Sequence, residues 1–207
     1  MVSPHLDSSI ETHHPPNQED GRVVKYDEVE AASWALMEAC KFDLDRDGMK
    51  ETPARFARLL TEFFSPHESP VDEAKAHLKA FSSNHNNGLV RVSFSFSAFC
   101  AHHMLPFFGT AQVVYMPCTK ITGLSKFSRA MRVLCSRPQV QEQITSEMAE
   151  AVSLFGPYGV LVDLTAEHTC MMIRGITDPC SSTRTQEIRG SFETNKALLK
   201  RALSMLE

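Results

Sequence analysis

The chain has 207 residues, enough for one ordinary domain with a small helical attachment and too few for two large domains. A hydrophobic share of 43% and a charged share of 22% are those of a soluble globular protein, which excludes collagen-like, wholly disordered and disulfide-scaffold chains. Lys and Arg number 21 against 25 Asp and Glu, a formal charge of -4, so a general nucleic-acid binder is excluded and any anion site has to be built locally.

No stretch approaches the roughly 20 apolar residues of a membrane span, and the N-terminus lacks the basic-then-apolar pattern of a secretory signal. A cytoplasmic protein without a membrane partner is the expectation. Six irregularly spaced cysteines then read as reduced thiols or metal ligands, and nine histidines sharpen the second reading.

Residues 1–22 carry Pro4, Pro15 and Pro16, three histidines and many small polar residues without an apolar period, the pattern of a disordered tail. His13 and His14 there read as a solvated pair. From Asp27, placed to cap a helix, Val29, Ala32, Leu36, Met37 and Cys40 fall at helical spacing. The polar run 43–50 breaks that pattern. Thr52 and Pro53 then open a second helix with the stripe Phe56, Leu59, Leu60, Phe63 and Phe64, so residues 23–70 are expected to form a helical hairpin.

Residues 71–207 are expected to form the main domain. A short helix precedes strict alternation at Val90, Val92, Phe94 and Phe96, the mark of a half-buried strand, and a second strand over 109–116 makes an antiparallel pair around the loop 100–106. Ser125 is placed to cap a helix with Phe127, Ala130, Met131 and Leu134, and Pro138 to open another that ends at Gly156. A second strand pair is expected over 160–167 and 169–175, then a last helix from about Thr194. This order predicts an α+β domain behind an α-hairpin.

Cys100 and His103 form a C-x-x-H at a strand end, a spacing that lets two ligands converge on one zinc ion, and Cys170 on the other strand pair supplies a third. Three protein ligands leave the fourth position of tetrahedral zinc for water, whose pKa falls to about 7 there. Cys40 and Cys135, in helical segments with apolar neighbours, read as small buried hydrophobes. His102 and His168, beside the proposed ligands, are candidates for proton transfer. Ser125, Lys126 and Arg129 share the first turn of a helix, which suits a triphosphate. Glu142, with Gln141 beside it, can accept from the N1 and N2 edge of guanine.

These residues lie in five blocks: RDGMKETPARFA (46–57), CAHHMLPFFG (100–109), GLSKFSR (123–129), RPQVQEQIT (137–145) and EHTCMMIRG (167–175). In order and spacing the blocks resemble the GTP cyclohydrolase I family, from about Asp27 to the C-terminus. The resemblance implies the tunnelling fold and a ring, typically a homodecamer, with active sites between subunits. It implies conversion of GTP and water to 7,8-dihydroneopterin triphosphate and formate, at the head of pterin and folate synthesis. Carried over residue by residue, it gives Cys100, His103 and Cys170 as zinc ligands, His102 and His168 as acid and base, and Glu142 with Gln141 on the guanine. Lys126, Arg129 and Arg174 fall on the triphosphate, Ser125 beside the ribose, and Arg55 reaches in from a neighbouring subunit. Arg58 stands where the family has a lysine.

One position departs from the pattern: the family usually has Glu between the first zinc ligand and the histidine pair, and here Ala101 stands there. That substitution is the sole support for an alternative, a non-catalytic or regulatory paralogue. A second alternative, the nitrile reductase branch of the same fold, needs a nucleophilic cysteine and a nicotinamide cofactor. The Cys-x-x-His and Cys170 set fits zinc better.

Overall fold

The computed structural model describes residues 24–84 and 88–207; the expected tail at 1–22 lies outside them. The chain opens with helices α1 (Tyr26–Ala39) and α2 (Thr52–Phe63), packed on each other as the expected hairpin. Pro53 sits in the first turn of α2, where its missing N–H costs nothing. Asp27 lies inside the first turn of α1, which starts at Tyr26 without a side-chain cap. The buried face of α1 is Ser33 and Met37, one turn apart, while Leu36 and Cys40 are exposed. The apolar stripe read from sequence is therefore only partly covered within one chain, and Cys40 is not the buried hydrophobe expected. Phe63 and Phe64 tie the hairpin to the main body through edge contacts with Phe99.

The body is a four-stranded antiparallel sheet in the order β2–β3–β5–β6: β2 (Val90–Phe99), β3 (Pro106–Met116), β5 (Gly159–His168) and β6 (Thr183–Gly190). A short pair, β1 (Ala80–Ser82) with β4 (Lys120–Thr122), stands apart from it. Three helices, α3 (Pro70–His77), α4 (Ser125–Leu134) and α5 (Gln141–Ser153), bury Leu78, Phe127, Met131, Ile144 and Met148 against one face of the sheet. On the other face α7 (Ser191–Thr194) and α8 (Lys196–Leu203) cover Val114 and Leu161. Close β3–β5 pairing depends on Gly109, where a Cβ would stand 2.0 Å from the Thr165 carbonyl oxygen. Among the described residues, no helix is long and apolar enough to cross a membrane.

The α+β class and the β2–β3 hairpin are as expected, and four local readings are corrected. The partner of β5 is β6, not residues 169–175, which instead form the single helical turn α6 (Thr169–Met172). In β6 both faces are polar apart from Ile188, so its alternation carries no hydrophobic signal. Pro138 does not open α5, because residues 137–140 run extended along the end of β2. Gln139 N–H donates to Phe99 O at 2.8 Å, Ala101 N–H donates to Gln139 O at 3.0 Å, and Glu147 of α5 holds the side chains of Arg137 and Gln139. Ser125 is the first residue of α4 and caps nothing, since a helical turn already begins at Leu124. The last helix is divided at Asn195, whose side chain accepts from the N–H groups of Ala197 and Leu198 and so starts α8 afresh.

Candidate metal and substrate site

The β2–β3 hairpin brings Cys100 to the end of β2, where its N–H donates to Leu105 O and its carbonyl accepts from Met104 N–H, both at 2.9 Å. Strand register aligns Phe107 of β3 with His168, the last residue of β5. The chain then turns into α6, held to the hairpin by a Thr169 hydroxyl bond to Pro106 O at 2.5 Å. Two residues beyond His168, Cys170 thereby meets Cys100.

Among the described residues, the one group with metal-ligand geometry is Cys100, His168 and Cys170, whose ligand atoms all lie within 4.8 Å of one another. Burial, and then the Cys100 thiol beside it, push the Cys170 thiol above its ordinary value, with Arg174 acting in the opposite direction. Without a cation the Cys170 thiol is held toward its protonated form. A soft divalent ion reverses that preference, because thiolate ligation releases the protons. Two sulfurs and an imidazole nitrogen at this separation suit zinc, and the donor set fits the expected ion.

His103 is exposed on the turn after Cys100 and is not in the group of three. His102 is exposed as well, with its Nδ1 3.9 Å from the Cys100 sulfur. His168 is partly buried, and its ring stacks on Phe107 with centroids 4.3 Å apart and planes 8° from parallel. Burial lowers its pKa from the ordinary value, opposed by the nearby Glu142 carboxylate, so the neutral imidazole is favoured. Glu142 is exposed in the first turn of α5, facing this histidine. Gln141, one residue earlier, is 1% exposed and holds His168 Nε2 at 2.9 Å.

The structure joins Cys100, Cys170, His168, Gln141 and Glu142 in one site, with His102 and Arg174 at its edge. Ser125, Lys126 and Arg129 stand at the N-terminal end of α4, and none of them belongs to the group of three. The Lys126 and Phe127 amides are already used by Gly123 O and Leu124 O, so an anion would meet the side chains more than free backbone donors. The side chains of Lys126, Arg129 and Arg174 form no hydrogen bond or ion pair with the described residues. Arg55 is paired on its own helix with Glu51 at 2.7 Å. Sequence reading missed Phe107 as the plate beneath His168 and missed Thr185, which hydrogen-bonds Gln141 from β6. The register of β3 with β5 supplies the first, and recognising β6 would have supplied the second.

The GTP cyclohydrolase I family profile matches residues 29–207. GTP cyclohydrolase 1 of Geobacillus sp. (strain WCH70) is 39% identical over 188 residues, covering 89% of this chain and 98% of that protein. The same-named protein of Pelotomaculum thermopropionicum is 40% identical over 182 residues, covering 86% and 95%. That of Streptococcus pneumoniae serotype 19F (strain G54) is 39% identical over 180 residues, covering 86% and 96%.

Proposed function

Since the chain belongs to the GTP cyclohydrolase I family, we propose that it converts GTP and water to 7,8-dihydroneopterin triphosphate and formate with a zinc ion at Cys100 and Cys170. The observation that carries this reading is the convergence of two thiols and a neutral-biased imidazole within 4.8 Å, beside an exposed carboxylate. Zinc, when bound, supplies an activated water and a Lewis acid. The remaining work falls to the chain. Glu142 accepts both N–H groups of the guanine edge, with Gln141 supporting the site from behind. His102 and His168 exchange protons with the opening imidazole ring, Ser125 lies against the ribose, and Lys126, Arg129 and Arg174 neutralise the triphosphate.

Lys126 and Arg129 pair with none of the described residues and so are available to a site shared between chains, and the family's habit makes the assembly a homo-oligomer, a decamer, whose sites lie between subunits. Arg55 would enter such a site from a neighbour after leaving Glu51. A cytoplasmic place in pterin and folate synthesis follows from the same reading. Nothing beyond Ala101 favours a silent paralogue.

His103 is the third zinc ligand in this proposal, three residues after Cys100 in the Cys-x-x-His spacing that the family resemblance carries over. The specific observation for a second arrangement is that the imidazole nitrogen grouped with the sulfurs belongs to His168. Metal analysis of His103→Ala and His168→Ala separates the two: zinc is lost from the first and kept by the second if His103 is the ligand. For the activity, the purified protein is incubated with GTP and zinc, the product is oxidised, and pterin fluorescence is read. Zinc-loaded protein that forms no pterin overturns the reading.

A further inference from the structure

Gln141 is almost wholly buried, and every polar atom of its side chain has a partner inside the chain. Its Nε2 faces Leu164 O at 3.1 Å, Thr183 O at 3.0 Å and the Thr185 hydroxyl at 3.1 Å. The two carbonyls can only accept, so the amide cannot be turned over without setting its oxygen against theirs. The hydroxyls agree. Thr145 gives its one proton to Gln141 O at 2.8 Å and must therefore accept from Thr185 at 2.6 Å, which leaves Thr185 free to accept from Gln141 Nε2.

All donors in this chain of bonds run in one direction, and its last link is Gln141 Oε1 facing His168 Nε2 at 2.9 Å. An amide oxygen has no proton to give. The neutral ring must then carry its proton on Nε2 and leave the lone pair on Nδ1. We infer that Gln141 is a positioning residue that locks His168 in the Nε2–H tautomer, so that Nδ1 carries the lone pair the ring offers to the site. This rests on the proposed role of His168 in that site. The Nε2–H bond to Gln141 holds the ring in place, so neither the ring nor the amide has to reorient when substrate binds. The Phe107 plate, stacked at 4.3 Å, fixes the ring plane that this lock requires.

The test uses the full chain, labelled with 15N-histidine, metal-free and at a pH where the ring is neutral. Long-range proton–nitrogen correlation spectra read the tautomer, with the His168 signals assigned by their loss in His168→Asn. The expected result is one tautomer protonated at Nε2. In Gln141→Met, which keeps the length but offers no comparable acceptor, an Nδ1–H population should appear. Its zinc-loaded form should lose about 10-fold or more in kcat with KM for GTP unchanged. A proton on Nδ1 in the parent protein overturns the inference, as does a KM that rises in Gln141→Met while kcat holds. The parent spectrum decides even if a variant fails to fold, and it needs neither zinc nor GTP. Absence of pterin from the parent enzyme would overturn the proposed function and leave the tautomer result standing.

Discussion

The two sides of the site are built differently. The wall made by α5, β5 and β6 is closed: Gln141, Thr145 and Thr185 satisfy one another, and His168 is stacked and hydrogen-bonded before any ligand arrives. The rim is open. Lys126, Arg129 and Arg174 are charged side chains that form no hydrogen bond or ion pair with the described residues, and Ser125 and Glu142 stand exposed beside helix starts. A finished wall holds atoms to the tolerance that proton transfer needs, whereas an unfinished rim keeps its charges available for a triphosphate. Substitutions in the wall should therefore alter folding and turnover together, and substitutions in the rim should alter binding alone.

Phe107 gives the largest expected effect. It is fully buried, it stacks on His168, and its edge meets Phe96 with centroids 6.1 Å apart. Phe107→Ala should cost about 3–5 kcal/mol in urea unfolding and lower kcat in the fraction that remains folded. A loss below about 1 kcal/mol would show that the wall is not held by this core contact. Glu142 marks the boundary between the two sides, since it is exposed yet faces the wall's histidine. Glu142→Ala should leave folding almost unchanged while weakening GTP binding by about 2–5 kcal/mol, through an unpaired guanine edge. Inosine triphosphate, which lacks the N2 amine, should lose less than GTP on that change. Equal losses would move the guanine elsewhere.

The rim sharpens the contrast from the other direction. Lys126→Ala, Arg129→Ala and Arg174→Ala should each change stability by less than about 0.5 kcal/mol. Each should raise the KM for GTP by about 10-fold, as the loss of one charge-assisted phosphate contact does, and added salt should narrow the difference from the parent. A fall in thermal stability comparable with that of Phe107→Ala would mean that these cations belong to the fold after all.

The same division governed what was legible in the sequence. Cys100, Cys170, His168 and Glu142 announce themselves by residue type and spacing, and the structure brings all four together. Strand β2 was readable because apolar and polar residues alternate along it, and β3 because its apolar run ends at Pro117. The wall was harder. Strand β6 presents Thr, Arg, Gln and Glu on both faces, so its period is invisible to hydrophobicity although Thr185 completes the lock on Gln141. The start of α5 was misread because Pro138 looks like a helix opener, while tertiary hydrogen bonds to Phe99 and Ala101 draw residues 137–140 into extended structure. Apolar positions on α1 at helical spacing said nothing about which of them a single chain covers: Met37 is buried and Leu36 is 54% exposed.

Ala101 offers the smallest and most discriminating test, because it lies where wall and rim meet. Its N–H is bound to Gln139 O at 3.0 Å and belongs to the pinned end of β2, while its side chain is exposed on the turn that carries His102 and His103. A longer side chain there displaces no core atom. By resemblance to the family the position usually holds Glu, and a carboxylate at this point can orient a neighbouring imidazole without joining the ligands. Ala101→Glu should leave zinc content and unfolding unchanged and raise kcat/KM by less than about 10-fold, the range of an outer-shell contact. Activity in the Ala form that falls when Glu is restored would show that the turn is already adapted to alanine. The rim at that point would then tolerate change no better than the wall does.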